Sequence, residues 1–474
     1  MTQKRYHIIF FLAAAVALGG CKKYLQIQPQ GQLTGAQVFS TESGIQQALN
    51  GLYTDMANDN LYGSTLTTTT IELMGQQYNV TATTSDNTFA MFQTYEYTQA
   101  NAMTVFNSIW TQAYSTILSA NEFIQAMDQV SGVISPAEAQ QLKGEAIAIR
   151  AYLHFDMLRL FGPVFATAAS SPAIPYYTVP NGATQPILTG TQALDSVLAD
   201  LTLAENLLAD DPVITGGINF GSDFYNSFRN QRLNYYAVKG LMARAYLYGG
   251  NTAAAHDSAA AVIAQASQWF PWQSYAAVTD PNNPDRVFSP EILFGVYNAN
   301  MYTDYTAYFS PNLLTVNILT AQPNRLTATF ENNENDYRYT TTWLNGPNGY
   351  RTFFKYADME TATEPWRFFQ PLLRKSEMYY IAAETETTQA QAFNDLDSVR
   401  YYRGLPALAS TAVLATEIQK EYQKEFYGEG QLFFFYKRKN VAAINNATEY
   451  SPYFSYTITP TYVVPLPLSE TTPR

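Results

Sequence analysis

The tetrapeptide Arg-Ala-Tyr-Leu occurs twice, as Arg150-Ala151-Tyr152-Leu153 and as Arg244-Ala245-Tyr246-Leu247, each time within a stretch of helical apolar spacing. The second copy is followed by Tyr248-Gly249-Gly250-Asn251 and then by an Ala-rich segment. Residues 232–265 therefore read as a helix pair, and residues 371–404, a stretch of the same length, as another. Small residues at the contact let two helices approach closely, but one pair cannot bury its own apolar face. Such pairs must stack on one another. That confines the chain to a curved, layered helical scaffold.

The flanking segments agree. A first helix is expected over 41–57, with Ile45, Leu49, Leu52 and Met56 on one face. Phe106, Ile109, Trp110, Ala113, Ile117, Ala120 and Ile124 mark the next. Ser135-Pro136-Ala137-Glu138 supplies an N-cap serine, a proline at the first helical position and a glutamate at the third, which is a capping box. Gly162-Pro163 stops the helix that it starts. Further helices are expected at 190–209, 232–249, 252–267, 371–386, 389–403 and 414–427. Two regions lose the period. One is 58–102, rich in Thr, Asn, Gln, Gly, Tyr and Phe; the other is 268–370, where short strands at most are expected. The predicted class is mainly α, a tetratricopeptide-like helix-pair scaffold with long irregular loop insertions.

Composition narrows the function. Charged residues make up 14% of the 474, against roughly 25% in an average soluble domain. Tyrosines, 36 of them, fill part of that space. With a net charge of −12 the chain lacks the basic stripes by which nucleic-acid binders displace phosphate counterions, so no nucleic-acid partner is expected. Cys21 is the one cysteine, which excludes an internal disulfide or a Cys-rich metal site. The histidines are His7, His154 and His256, and helical His154 reads as a packed residue. No HExxH, P-loop or GxGxxG motif is present, and no cofactor is expected.

The first residues read as an export signal. Lys4 and Arg5 precede the apolar run Ile8 to Ala17, which is too short to span a bilayer of about 30 Å. Leu18-Gly19-Gly20-Cys21 has the form of a lipobox, in which the cysteine thiol is lipidated and becomes the new N-terminus. The expected organisation is a lipoprotein signal peptide at 1–20, lipid attachment at Cys21, a tether over 21–40 and one α-helical domain over 41–474. The mature protein would be anchored to a membrane and not span it.

Taken in order, these motifs resemble the SusD/RagB-type outer-membrane nutrient-binding lipoproteins. Cys21 is followed by Tyr24-Leu25, Pro29-Gln30-Gly31 and Leu49-Asn50-Gly51-Leu52-Tyr53. Gly144-Glu145-Ala146, Arg150-Ala151-Tyr152 and Leu160-Phe161-Gly162 match the most recognisable helix of that family. Leu373-Arg374, Glu377, Ala382-Ala383-Glu384, Val399-Arg400 and Arg403-Gly404-Leu405-Pro406 match the next signature. Glu425-Phe426, Gly428-Glu429-Gly430 and Pro465-Leu466-Pro467 match the last. The chain departs at Leu432, Phe435 and Tyr436, where apolar packing replaces a polar network before Lys437-Arg438. Lys22-Lys23 also replaces the acidic residues that favour surface display. The resemblance implies a lipoprotein lid over a TonB-dependent β-barrel transporter of the SusC type, which captures an oligosaccharide or another nutrient and delivers it to the pore.

Three functions fit the residues. A binding module would take a glycan or other nutrient on aromatic platforms edged by amides and hydroxyls. Its candidate contacts are Tyr62, Gln76, Tyr78, Asn79, Asp86 and Tyr95 in the 58–102 excursion, and the resemblance implies further contacts from later loops, here Tyr297, Tyr302 and Tyr305. Stacking and neutral hydrogen bonds would dominate, so affinity would depend weakly on salt. The second is an exported all-helical glycoside hydrolase or lyase, for which Glu377 and Glu384 share a helix face. Ion pairs with Arg374 or Lys375 are the plainer role for those two. The third is a structural surface protein. The binding module is the reading that the residues favour, on a cell-surface-facing outer-membrane protein, with peptide uptake as an alternative to glycan uptake. Asn332-Asn333-Glu334-Asn335-Asp336 lacks the alternation of a calcium loop and reads as a solvated turn.

Overall fold

Helices begin where the capping signals place them. Thr41 accepts from the Gly44 amide and opens α1 (Glu42–Met56), whose buried face is Ile45, Leu49, Leu52 and Met56. The Ser135–Glu138 capping box forms and starts α3 (Pro136–Phe161), which follows α2 (Ala100–Met127) and ends at Gly162. A second box, Thr189 with Gln192, opens α4 (Gly190–Leu207). The others are α5 (Tyr235–Tyr248), α6 (Thr252–Ala266), α7 (Lys375–Thr385), α8 (Gln389–Tyr401), α9 (Leu414–Glu425) and α10 (Leu432–Lys439). The computed structural model describes residues 35–80, 89–314, 316–347, 349–448 and 456–471. The signal segment, Cys21, residues 21–34 of the expected tether and Asp86 lie outside those residues. The tether's last residues are helical at Gly35–Val38, and Phe39 packs edge-on against Phe123.

The pairs stack as the repeat requires. In order, α2, α3, α4, α5, α6, α7 and α8 each pack on the next. Every residue of α3 from Gly144 to Phe161 is buried, so this helix is apolar or ion-paired all round and forms the axis of the core. Ala151 and Ala245 are fully buried. The repeated arginines do equivalent work. Arg150 forks onto Asp200 of α4 at 2.8 and 2.6 Å, and Arg244 onto Glu377 of α7 at 2.8 and 2.6 Å. A planar guanidinium meeting a carboxylate through two parallel bonds fixes both distance and orientation. Each copy of the motif thereby clamps a neighbouring helix.

Several expectations are corrected. Residues 371–374 are strand, not helix: β2 (Phe369–Arg374) pairs antiparallel with β1 (Ile292–Tyr297), with Tyr297 opposite Phe369. Pro371, read as a helix start, sits in that two-strand ribbon, where a missing N–H is tolerated. Helix α10 was not foreseen. Three short helices, Met301–Tyr308, Pro323–Thr329 and Tyr337–Thr342, occupy the region expected to hold only short strands. Asp336 is not solvated; it is fully buried and caps the last of these helices. Glu377 and Glu384 do form ion pairs, but across helices. Glu377 meets Arg244, and Glu384 meets Arg438 and Lys439.

Much of the scarce charge lies inside. Arg403 joins Glu291 and Glu425, Arg374 joins Glu425 and Glu429, and Arg338 joins Asp336, Glu421 and Glu425. All eight side chains are buried. The network ties β2, α9, the end of α8 and the short helix 337–342 into one unit. Leu432, Phe435 and Tyr436 are buried, as the departure from the family pattern suggested. Lys437 is buried too, and its ammonium donates to the carbonyls of Leu160 and Gly162 at the end of α3 (3.1 and 2.7 Å). Burial pushes that ammonium well below the ordinary lysine range. His154 is a packed residue whose Nε2 accepts from the Tyr177 amide, with Nδ1 at 2.9 Å from the Arg150 carbonyl. Burial pushes its imidazole down to about 3, so it is neutral. Among the described residues, no helix is long and apolar enough to cross a membrane.

Candidate functional site

Among the described residues of the 58–102 excursion, Tyr62, Tyr78, Phe92, Tyr95 and Tyr97 are buried in the core. The Tyr62 hydroxyl donates to Asp156 at 2.8 Å, and its ring stands edge-on to Tyr152. Gln76 is fully buried, bonded to the Gln93 carbonyl and the Ala447 amide. Tyr78 is fully buried among Phe309, Phe353 and Tyr427. The Tyr95 hydroxyl donates to the Met74 carbonyl. Asn79 is half-buried, its amide held by the Thr320 carbonyl at 2.8 Å. Tyrosine explains the misreading, since an apolar ring with one polar tip serves a core as well as a binding face. Tyr62, Gln76, Tyr78 and Tyr95 are therefore core residues in this conformation.

Tyr297 is different. It ends β1, is 54% exposed, and forms one wall of a groove of about 500 Å³. Asn50, Tyr53 and Thr54 of α1 form a second wall, and the loop over 221–232 forms the third. That loop is shaped by Asp223, which accepts from the amides of Tyr225 and Asn226. Beneath it, Arg229 is fully buried between Asp211 and Glu145. Burial alone would raise the Glu145 carboxyl, but Arg229 and Arg232 hold it below its ordinary value. The Tyr53 hydroxyl donates to Glu145 at 2.8 Å and accepts from the Leu233 amide at 3.0 Å. Arg232 lies over the Phe224 ring at 4.1 Å and donates to the Asn50 side chain at 3.0 Å. Hydrogen bonds and ion pairs thus tie the groove floor together, and aromatic rings, an amide and the Arg232 cation line the groove.

A second aromatic group continues past Tyr297. Phe368 stands 5.3 Å from Tyr297 and 4.5 Å from Tyr302, and Arg367 lies over Phe368 and Tyr302 while pairing with Asp358. The excursion reaches this place through Asp59, whose carboxylate accepts from Asn300 at 3.2 and 3.3 Å. Asn298 donates to the Gly63 carbonyl and fixes the same junction. Burial and the nearby Asp59 charge push the Asp304 carboxyl up to about 7.

The structure thus brings Tyr297 and Tyr302 together at the surface and separates them from the buried candidates. Sequence reasoning missed Tyr53, Phe224, Phe228, Arg232 and Phe368. Two signals were available. Asn50 and Tyr53 belong to the Leu49-Asn50-Gly51-Leu52-Tyr53 motif, and Gly221-Ser222-Asp223-Phe224 places an aromatic within a turn-forming run between helices. Among the described residues, no cluster of His, Cys, Asp or Glu could hold a metal ion.

Comparison with known proteins places the chain. A family model described as starch-binding associating with outer membrane matches residues 23–247, and the SusD family model matches residues 297–464. SusD-like protein P2 of Formosa agariphila is 26% identical over 213 residues, 44% of this chain and 39% of that protein. SusD-like protein P38 of the same organism is 24% identical over 212 residues, 43% of this chain and 38% of that protein. These matches therefore span well under half the length of the curated relatives. Among solved structures, a SusD superfamily protein from Bacteroides thetaiotaomicron superposes with a TM-score of 0.72 at 20% identity, over 91% of this chain and 97% of that one. A SusD-like carbohydrate binding protein from Bacteroides vulgatus gives 0.67 at 17% identity, over 91% and 96%. At these identities the likeness is one of fold.

Proposed function

The chain belongs to the SusD/RagB family, and from that premise we propose that it is an outer-membrane lipoprotein that binds an oligosaccharide and delivers it to a TonB-dependent β-barrel transporter. The single observation that carries the ligand class is the Tyr297 groove. Sugar rings present C–H faces to aromatic platforms and hydroxyls to amides, and Tyr297, Phe224, Asn50 and Gln231 line one cleft. Binding, not turnover, is the proposed activity. The two glutamates that suggested a hydrolase are held in ion pairs by Arg244 and Arg438.

In this reading residues 1–20 direct export, Cys21 carries the lipid, residues 21–40 lead into the fold and residues 41–474 form the binding domain. The outer face of the outer membrane is the proposed location. Cys21→Ala should shift the protein from the membrane fraction to the soluble periplasmic fraction. Unchanged membrane fractionation would remove the lipid anchor from the proposal.

Tyr297→Ala tests the site. Affinity electrophoresis against a panel of plant and algal polysaccharides should show retention of the wild type and at least a tenfold loss in the variant. Because Tyr297 is exposed, the melting temperature should not move. Retention equal to the wild type would place the ligand elsewhere, and binding of peptides in place of every glycan would overturn the ligand class.

A further inference from the structure

Among the described arginines, only Arg286 and Arg325 lack a carboxylate partner. Arg325 is buried, and its two Nη groups donate to the carbonyls of Asn446 and Gln76. Arg286 is half-buried and less well served. Its Nε donates to the Thr341 carbonyl at 3.0 Å, and its Nη groups find no acceptor among the described residues. Asp285, the next residue back, is turned away, with its carboxyl taken by Ser289 and Gln273. Burial pushes the Arg286 guanidinium down to about 10, with Tyr305 acting weakly in the other direction. A cation withdrawn from water without a counter-ion is unfavourable until an anion supplies one.

The surroundings are aromatic. The guanidinium carbon lies 6.0 Å from the Phe354 ring centre, and Phe354 stands 6.2 Å from Tyr305. Tyr305 sits three residues after Tyr302 on the helix Met301–Tyr308, so both project from neighbouring turns of one side. Tyr302 touches Phe368, and Phe368 touches Tyr297. A row of rings therefore runs from the groove toward an open guanidinium fork. Such a fork matches the paired oxygens of a carboxylate or a sulfate ester.

We propose that Arg286 is an anion subsite at the far end of this aromatic row, and that the glycan is an acidic one carrying uronate carboxylates or sulfate esters. The inference rests on the glycan-binding reading above and departs from the neutral recognition that composition alone suggests. Two matched pairs of polymers test it by affinity electrophoresis: polygalacturonate with its fully methyl-esterified form, and carrageenan with agarose. Starch and xylan serve as further neutral probes. One acidic polymer should bind at least tenfold more tightly than its neutral partner, and which pair responds distinguishes carboxylate from sulfate. Arg286→Gln should abolish that preference. Arg286→Lys keeps a positive charge but loses the fork, and should reduce the preference while guarding against a folding defect. Equal binding of acidic and neutral partners, binding of neutral polymers alone, or an undiminished preference in both variants would overturn the inference and leave the glycan-binding reading standing. No binding to any of the six polymers would overturn both.

Discussion

Glu425→Ala should cost roughly 3–5 kcal/mol of stability, the range found when one partner of a buried ion pair is removed. Glu425 receives Arg374 at 2.8 Å, Arg403 at 2.6 Å and Arg338 at 2.8 Å. Its loss takes one carboxylate from each of three guanidinium groups in a dry interior, where Glu429, Glu291, Asp336 and Glu421 remain. Burial alone would raise the Glu425 carboxyl, but Arg374, Arg403 and Arg338 hold it well below the carboxylate range. A depressed folded value stabilises above the unfolded value, about 4.3, and that contribution is lost as pH falls through the folded one. The wild type should therefore lose melting temperature in acid, and the variant should lose less from the same change. A thermal scan of the variant within a degree of the wild type at pH 7 would refute the network's structural weight.

Gly430→Ala should be nearly as damaging. Gly430 has φ of 70°, and a side chain there costs roughly 1–3 kcal/mol from the backbone alone. An added Cβ would also stand 2.0 Å from the Leu66 carbonyl oxygen, a backbone atom that cannot swing aside. The Gly430 amide meanwhile donates to Glu72 at 2.7 Å. Burial pushes that carboxyl up to about 8, although the Gly428 and Gly430 amides pull it down. Displacing Gly430 would strip one of these donors from a fully buried acid. Chemical denaturation should show a lower midpoint; an unchanged midpoint would mean that the 66–67 turn yields easily.

These two sites show what was readable in the sequence and what was not. Arg374, Arg403, Glu425 and Gly428-Glu429-Gly430 were visible as ordered motifs, yet nothing in their spacing says that they converge. Convergence depends on contacts between segments far apart in the chain. Helix limits were far more legible, because Thr41, Ser135 and Thr189 act on amides three residues away. The start of α7 failed for a local reason: Pro371 fits a helix N-terminus and a ribbon edge equally well. The burial of Tyr62, Gln76, Tyr78 and Tyr95 was hidden for another. The residues of 58–102 have the composition of a sugar site, but Tyr62 and Tyr95 find carboxylate and carbonyl partners inside the protein. Low overall charge suggested a neutral molecule. The structure instead spends its arginines internally, and that is why the open fork of Arg286 stands out.

The groove's three walls come from residues 50–54, 221–232 and 297, and the Asp211–Arg229–Glu145 ion pairs join the layers below them. No one of these segments holds the site by itself. A ligand bridging them binds only the closed scaffold, so occupancy adds to the free energy that separates the native chain from any opened form. Where proteases have access, cleavage follows the population of opened molecules when reclosing is fast. Under the function proposed above, an occupied copy would outlast an empty one, and the supply of ligand would itself set how long each survives.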